Sequence, residues 1–135
     1  MKSITYSFAI FFTLLFIGCS SKPSEDDAMK VVQNLIQTHA GNFIELVSFK
    51  KTNAQDITFG GMQLYKVMYT AQLRFLRKGM MLRISQDQPY EFYGVNGYDY
   101  YNSFDKFVGD AGSVATINSF IIFSKTENGW QPEWH

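Results

Sequence analysis

The chain holds one cysteine, Cys19, and two histidines, His39 and His135, among 135 residues. A single thiol excludes an intramolecular disulfide, so the folded part must be stabilised by burial. So few thiols and imidazoles give no basis for a structural zinc site, which needs several closely spaced Cys or His ligands. Charge of either sign is also missing, since 12 Lys and Arg against 12 Asp and Glu give a formal net charge of zero. That balance removes the basic surplus of a nucleic-acid binder. No Gly-x-Ser-x-Gly elbow and no Cys–His pair occurs. Gly60-Gly61 and Gly109-Asp110-Ala111-Gly112 lack the context of a phosphate-binding loop and read as strand connections. Asp56, Asp87, Glu91, Asp99 and Asp105 fall in expected turns and loops, not on the apolar face of a long strand where desolvation raises a base's pKa. The expectation is therefore a protein that is not an enzyme, with no catalytic residue, metal or cofactor.

Aromatic residues, by contrast, make up 17% of the chain. Lys2 precedes an uncharged apolar run over 4–17, which ends in Gly18, Cys19, Ser20 and Ser21. A charged start, an apolar core and a small-residue exit describe a secretory signal peptide. The run is shorter than the about 20 apolar residues of a spanning helix. Phe16-Ile17-Gly18-Cys19 resembles the lipobox of bacterial lipoproteins, with Phe16 at a position usually held by Leu. The resemblance implies a lipid on the Cys19 thiol and cleavage just before it. The residues alone also allow ordinary cleavage after Ser21, by the small-x-small rule through Cys19 and Ser21. The expected organisation is a signal at 1–18, a tether at 19–23 and a single domain at 24–135.

Ser24, followed by Glu25-Asp26-Asp27, predicts a capped helix start. Similar acidic residues behind a lipidated cysteine resemble an export signal to the cell surface, but capping explains them more simply. Ala28, Val31, Val32, Leu35 and Ile36, with His39 continuing the stripe, recur at helical spacing, and Gly41-Asn42 ends the helix. From Phe43 the period becomes two. Strands are expected over 43–51, 62–77, 80–85, 114–125 and 130–134, with a loop at 52–56 and a short helix over 98–107. In the strand over 43–51, Phe43, Val47 and Phe49 are expected on one face, with Ile44 and Leu46 on the other. Asn96-Gly97 and Glu127-Asn128-Gly129 are turn signals. The fold class is α+β: one N-terminal amphipathic helix packed on a strongly bent antiparallel sheet of about four to six strands.

That order, running into Phe123-x-Lys125-Thr126-x-x-Gly129-Trp130, resembles the cystatin-like or NTF2-like domains of small bacterial lipoproteins. The resemblance implies a sheet curled around its helix, in a family where many members bind and some catalyse. Tyr93, Tyr98, Tyr100, Tyr101, Trp130 and Trp134 form the candidate binding surface, because such rings offer flat apolar area with a polar tip. The expected protein is a non-catalytic binding or structural module of the bacterial envelope, anchored to the membrane, expected to be the outer one, by lipid on Cys19. Its partner would be an envelope protein, peptide or glycan, with no nucleic acid involved. The alternative is an NTF2-like pocket protein for a small ligand, with latent enzymatic character. Replacing Cys19 by Ser should move the protein from the membrane fraction to the soluble fraction on ultracentrifugation. Unchanged membrane retention would remove the lipid anchor.

Overall fold

The computed structural model describes residues 21–95 and 104–133. Helix α1 (Glu25–Ala40) starts on a reciprocal cap. Asp27 N–H donates to Ser24 Oγ at 3.2 Å, and Ser24 N–H donates to the Asp27 carboxylate at 2.8 Å. Two otherwise orphaned donors are thereby satisfied. Ala28, Val31, Val32, Ile36 and Ala40 form its buried stripe. The helix closes at Gly41, where a Cβ would lie 2.7 Å from the Gln37 carbonyl oxygen. Phe43 then starts the return, donating its N–H to Ala40 at 2.9 Å.

The strands form two antiparallel sheets. In the larger, β1 (Ile44–Phe59), β2 (Met62–Phe75), β6 (Val114–Thr126) and β7 (Gly129–Pro132) lie in the order β1-β2-β6-β7. In the smaller, β3 (Gly79–Arg83), β4 (Glu91–Gly94) and β5 (Asp105–Gly109) lie in the order β4-β3-β5. The α+β class is therefore observed, with seven strands among the described residues in two open sheets rather than one bent sheet. The division falls at Phe75, where Leu76-Arg77-Lys78 breaks the extended run.

Strand β2 follows its alternation closely. Tyr65, Val67, Tyr69, Ala71, Leu73 and Phe75 are all buried, and the residues between them face outward. Strand β1 differs from expectation twice. Residues 52–56 are not a loop but continue the ladder, with Asp56 opposite Tyr65. The expected faces also fail: Ile44 is buried and Val47 is 42% exposed. Two irregularities explain both. Leu46 and Ser48 oppose Leu73 and Gln72, leaving Val47 without a partner; Lys51 and Asn53 oppose Tyr69 and Met68, leaving Thr52 without one. Each extra residue shifts the inward phase by one. The inward set passes from Ile44 and Leu46 to Phe49, stacked on Tyr69 at 4.6 Å, and then to Ala54. The expected helix over 98–107 is also corrected where it can be seen, because Asp105–Gly109 is a strand bonded to β3. Residues 98–103 lie outside the described residues.

Length decides what the helix covers. Sixteen helical residues span about 24 Å, close to the about 23 Å of strand from Ile44 to Lys51. The match is fixed at the helix start, where Glu25 accepts the Lys51 N–H at 2.8 Å. The outer half of β1 therefore extends beyond the helix, and its side chains are mostly exposed.

One rung of the small sheet is glycine on all three strands, since Gly79 pairs with both Gly94 and Gly109. A Cβ at Gly109 would lie 2.4 Å from the Phe75 ring, and one at Gly94 would lie 2.5 Å from the Phe43 ring. Phe75 is fully buried and has no room to yield. Gly109→Ala should therefore lower stability by about 1–3 kcal/mol through overpacking, read as a reduced thermal midpoint. Adding Phe75→Leu should recover part of that loss.

Candidate functional site

The last turns of α1, strand β4 and the middle of β6 converge on a small hollow. It has a volume of about 160 Å³, and its lining includes Leu35, His39, Tyr93, Ile121 and Glu133. Phe92 points into the core and is 2% exposed. Glu91 and Tyr93, two apart on β4, therefore share the opposite face. The Tyr93 hydroxyl donates to the Glu91 carboxylate at 3.1 Å, and its ring stands 6.4 Å from the exposed His39 ring at 56°.

Beside this hollow, Arg83 and Asp105 are register partners on β3 and β5 and form an ion pair. The Arg83 guanidinium lies 5.0 Å from the Tyr90 ring centre and 5.2 Å from that of Phe104. Its Nε is buried without a hydrogen-bond partner among the described residues. The Tyr90 hydroxyl reaches Asp105 at 3.3 Å. Burial, then the neighbouring Asp105 charge, push the Tyr90 phenol up, against a smaller opposing effect of Arg83.

The two clusters are tied to the main sheet by one buried hydroxyl. Ser119 on β6 accepts the Tyr90 N–H at 3.0 Å and is hydrogen-bonded to the Tyr69 hydroxyl, its register neighbour on β2. Burial raises the Tyr69 phenol well above its ordinary range. The phenol is thus held neutral, as a hydrogen-bonding group of the core.

Of the expected binding surface, Tyr93 lines the hollow. Trp130 is only 4% exposed and packs against Tyr65 at 6.0 Å between ring centres, so it belongs to the core. Tyr98, Tyr100, Tyr101, Trp134 and Cys19 lie outside the described residues. His39 stands at the helix end but is exposed rather than packed. The Arg83–Tyr90–Asp105 cluster went unread in the sequence. Its members are brought together by β3–β5 pairing, and no local period marks them.

Among the described residues no group of three or more His, Cys, Asp or Glu could hold a metal ion. No described helix is long and apolar enough to cross a membrane. A larger groove of about 600 Å³ runs along α1, edged by Lys30, Asn34, Gln37 and Glu45, and its lining includes none of the tyrosines. The chain matches no protein-family model, and no curated protein and no solved structure matches it.

Replacing Ser119 by Ala leaves two buried polar groups unsatisfied and should cost about 1–3 kcal/mol. In the Ser119→Ala background, Tyr69→Phe should cost less than it does alone, which a double-mutant cycle reads directly. Tyr69 also sets an alkaline limit. Its unfolded phenol titrates near the ordinary value of 10.0 and its folded one above it. Stability from this group is therefore whole below pH 10 and is lost as pH rises beyond it. Tyr69→Phe should flatten that part of a stability–pH curve.

Proposed function

We propose that the protein is a membrane-anchored lipoprotein of the bacterial envelope, held by lipid on Cys19. Its domain is of the cystatin-like or NTF2-like kind and acts as a non-catalytic module that docks a partner through the face carrying Tyr93. The lipobox-like Phe16-Ile17-Gly18-Cys19 supports the anchor. One helix lying against the four-stranded sheet supports the fold assignment at the level of architecture.

The observation that carries the binding reading is the state of the polar groups around the hollow. Glu91 is engaged by Tyr93, Asp105 by Arg83 and Tyr90, and Ser119 by Tyr69 and Tyr90. A carboxylate keeps further lone pairs after one such bond, so these contacts fix the side chains in place, and a fixed polar rim around a small hollow is what a docking face needs. The hollow, at about 160 Å³, is also smaller than the ~300–1,000 Å³ of typical small-molecule sites. Its shape suits an inserted side chain better than a whole ligand. The small-ligand reading draws on the groove of about 600 Å³ along α1, which lies within that size range.

A photo-crosslinking phenylalanine analogue at Tyr93, in the full-length protein in intact cells, separates these readings. A discrete protein adduct in the membrane fraction is the expected result. A small-molecule mass increment without a protein adduct would favour the pocket, and no adduct at all would remove the docking face.

A further inference from the structure

We infer that the β1–β2 hairpin tip is a second membrane contact, where Phe59 and Met62 enter the lipid interface beside the lipid-bearing N-terminus. The inference rests on the anchor proposed above. Phe59 and Met62 are cross-strand partners that close the hairpin, and they are 74% and 47% exposed. Between them stand only Gly60 and Gly61, at φ 57° and 80°, so the turn has no side chain to hold the apolar pair off a surface. A lone exposed Phe on a soluble surface calls for no explanation. This pair differs because of where the chain enters the domain.

Lys22 Nζ bonds Asp56 Oδ2 at 2.8 Å and stands 5.4 Å from the Tyr65 ring centre. With Ile57, Thr58 and Lys125 it lines a shallow hollow on the outer half of the hairpin. The Lys22 side chain therefore ends at the level of Asp56, three residues short of Phe59. Three residues of strand span about 10 Å. The three residues from Lys22 back to Cys19 reach about the same distance when extended. A lipid on Cys19 is therefore within reach of the level of Phe59, which lets the anchor and the tip share one bilayer surface.

Charge at this end is compatible with anionic headgroups. Asp56 is neutralised by Lys22, and Lys125 borders the glycine turn; Glu127 in the adjacent β6–β7 turn is the opposing charge. Apolar side chains at such a surface bury about 5–10 Å into the headgroup boundary, a depth that a two-residue tip can reach.

The test uses full-length protein isolated from membranes, with Met62→Cys carrying an environment-sensitive fluorophore and Phe59 retained. Lipid occupies the Cys19 thiol, leaving one reactive site. Val114→Cys supplies the reference; Val114 is 52% exposed and pairs with Arg74, at the far end of β2. In phosphatidylethanolamine–phosphatidylglycerol vesicles, doxyl-labelled lipid should quench the Met62 label several-fold more than the Val114 label. Aqueous iodide should show the reverse order. Phe59→Ser should weaken the doxyl quenching while the protein stays with the vesicles. Equal iodide access at both labels on vesicle-bound protein would overturn the tip contact and leave the anchor intact. Shielding from iodide without doxyl quenching would mean that a protein covers the tip, which overturns it as well. A Cys19 found unmodified by mass, on protein that does not sediment with vesicles, would overturn the anchor and the tip contact together.

Discussion

Two phenyl rings lie where the small sheet has no side chains. Phe75 closes β2 and rests over Gly109 and Gly79, while Phe43, one residue before β1, rests over Gly94. Three glycines on one rung let three strand backbones approach these two rings more closely than any Cβ allows. The rest of the chain is arranged around this seat. Leu76 N–H donates to the Phe43 carbonyl, and the end of β2 is joined to the residues just before β6, where Phe75 N–H donates to the Ser113 carbonyl and Gly112 N–H to the Phe75 carbonyl. Both sheets and the helix exit are therefore pinned within one small region. A change there alters where the small sheet sits, not merely how well it packs.

The candidate site inherits its geometry from that seat. Neither Tyr93 nor Tyr90 is on the main sheet, yet both must face groups that belong to it or to α1. Placing β4 under the end of the helix brings the Tyr93 ring to His39, and the Ser119 hydroxyl holds the approach to β4 at Tyr90. Hydrogen bonds of this kind add little net stability when both partners have water as an alternative. Their weight here is positional, because a buried donor that loses its partner has no water to turn to.

Helix α1, its cap, strand β2 and the turns at Gly60-Gly61, Asp110-Ala111-Gly112 and Glu127-Asn128 were all legible in the sequence, because each rests on local chemistry or on an unbroken period. Strand β1 was legible in type but not in phase: a bulge is a property of the pairing with β2, and nothing at Val47 or Thr52 announces it. The break after β2 was legible to within two residues, but the division into two sheets there was hidden for a related reason, since it depends on glycines spread from 79 to 109 meeting on one rung. Tyr93 was legible as an amphipathic aromatic residue with an incompletely buried face. Trp130 was not, because its burial follows from the short return of β7 onto Tyr65. Arg83 and Asp105 are 22 residues apart and paired only by sheet register, beyond the reach of any pattern along the chain.

Strand β1 is also an outer strand of its sheet, sixteen residues long, with one row of backbone groups facing away from β2. A flat edge of that length is a template on which another chain could add its own strand, the first step of sheet-to-sheet aggregation. The irregularities at Val47 and Thr52 interrupt it. Each bends the strand and leaves its exposed row out of step with a straight partner, while Lys50 and Lys51 place charge between the two breaks. The same two residues that carry Phe49 and Ala54 into the core thus divide the open edge into short runs, and protect crowded copies of the chain from one another.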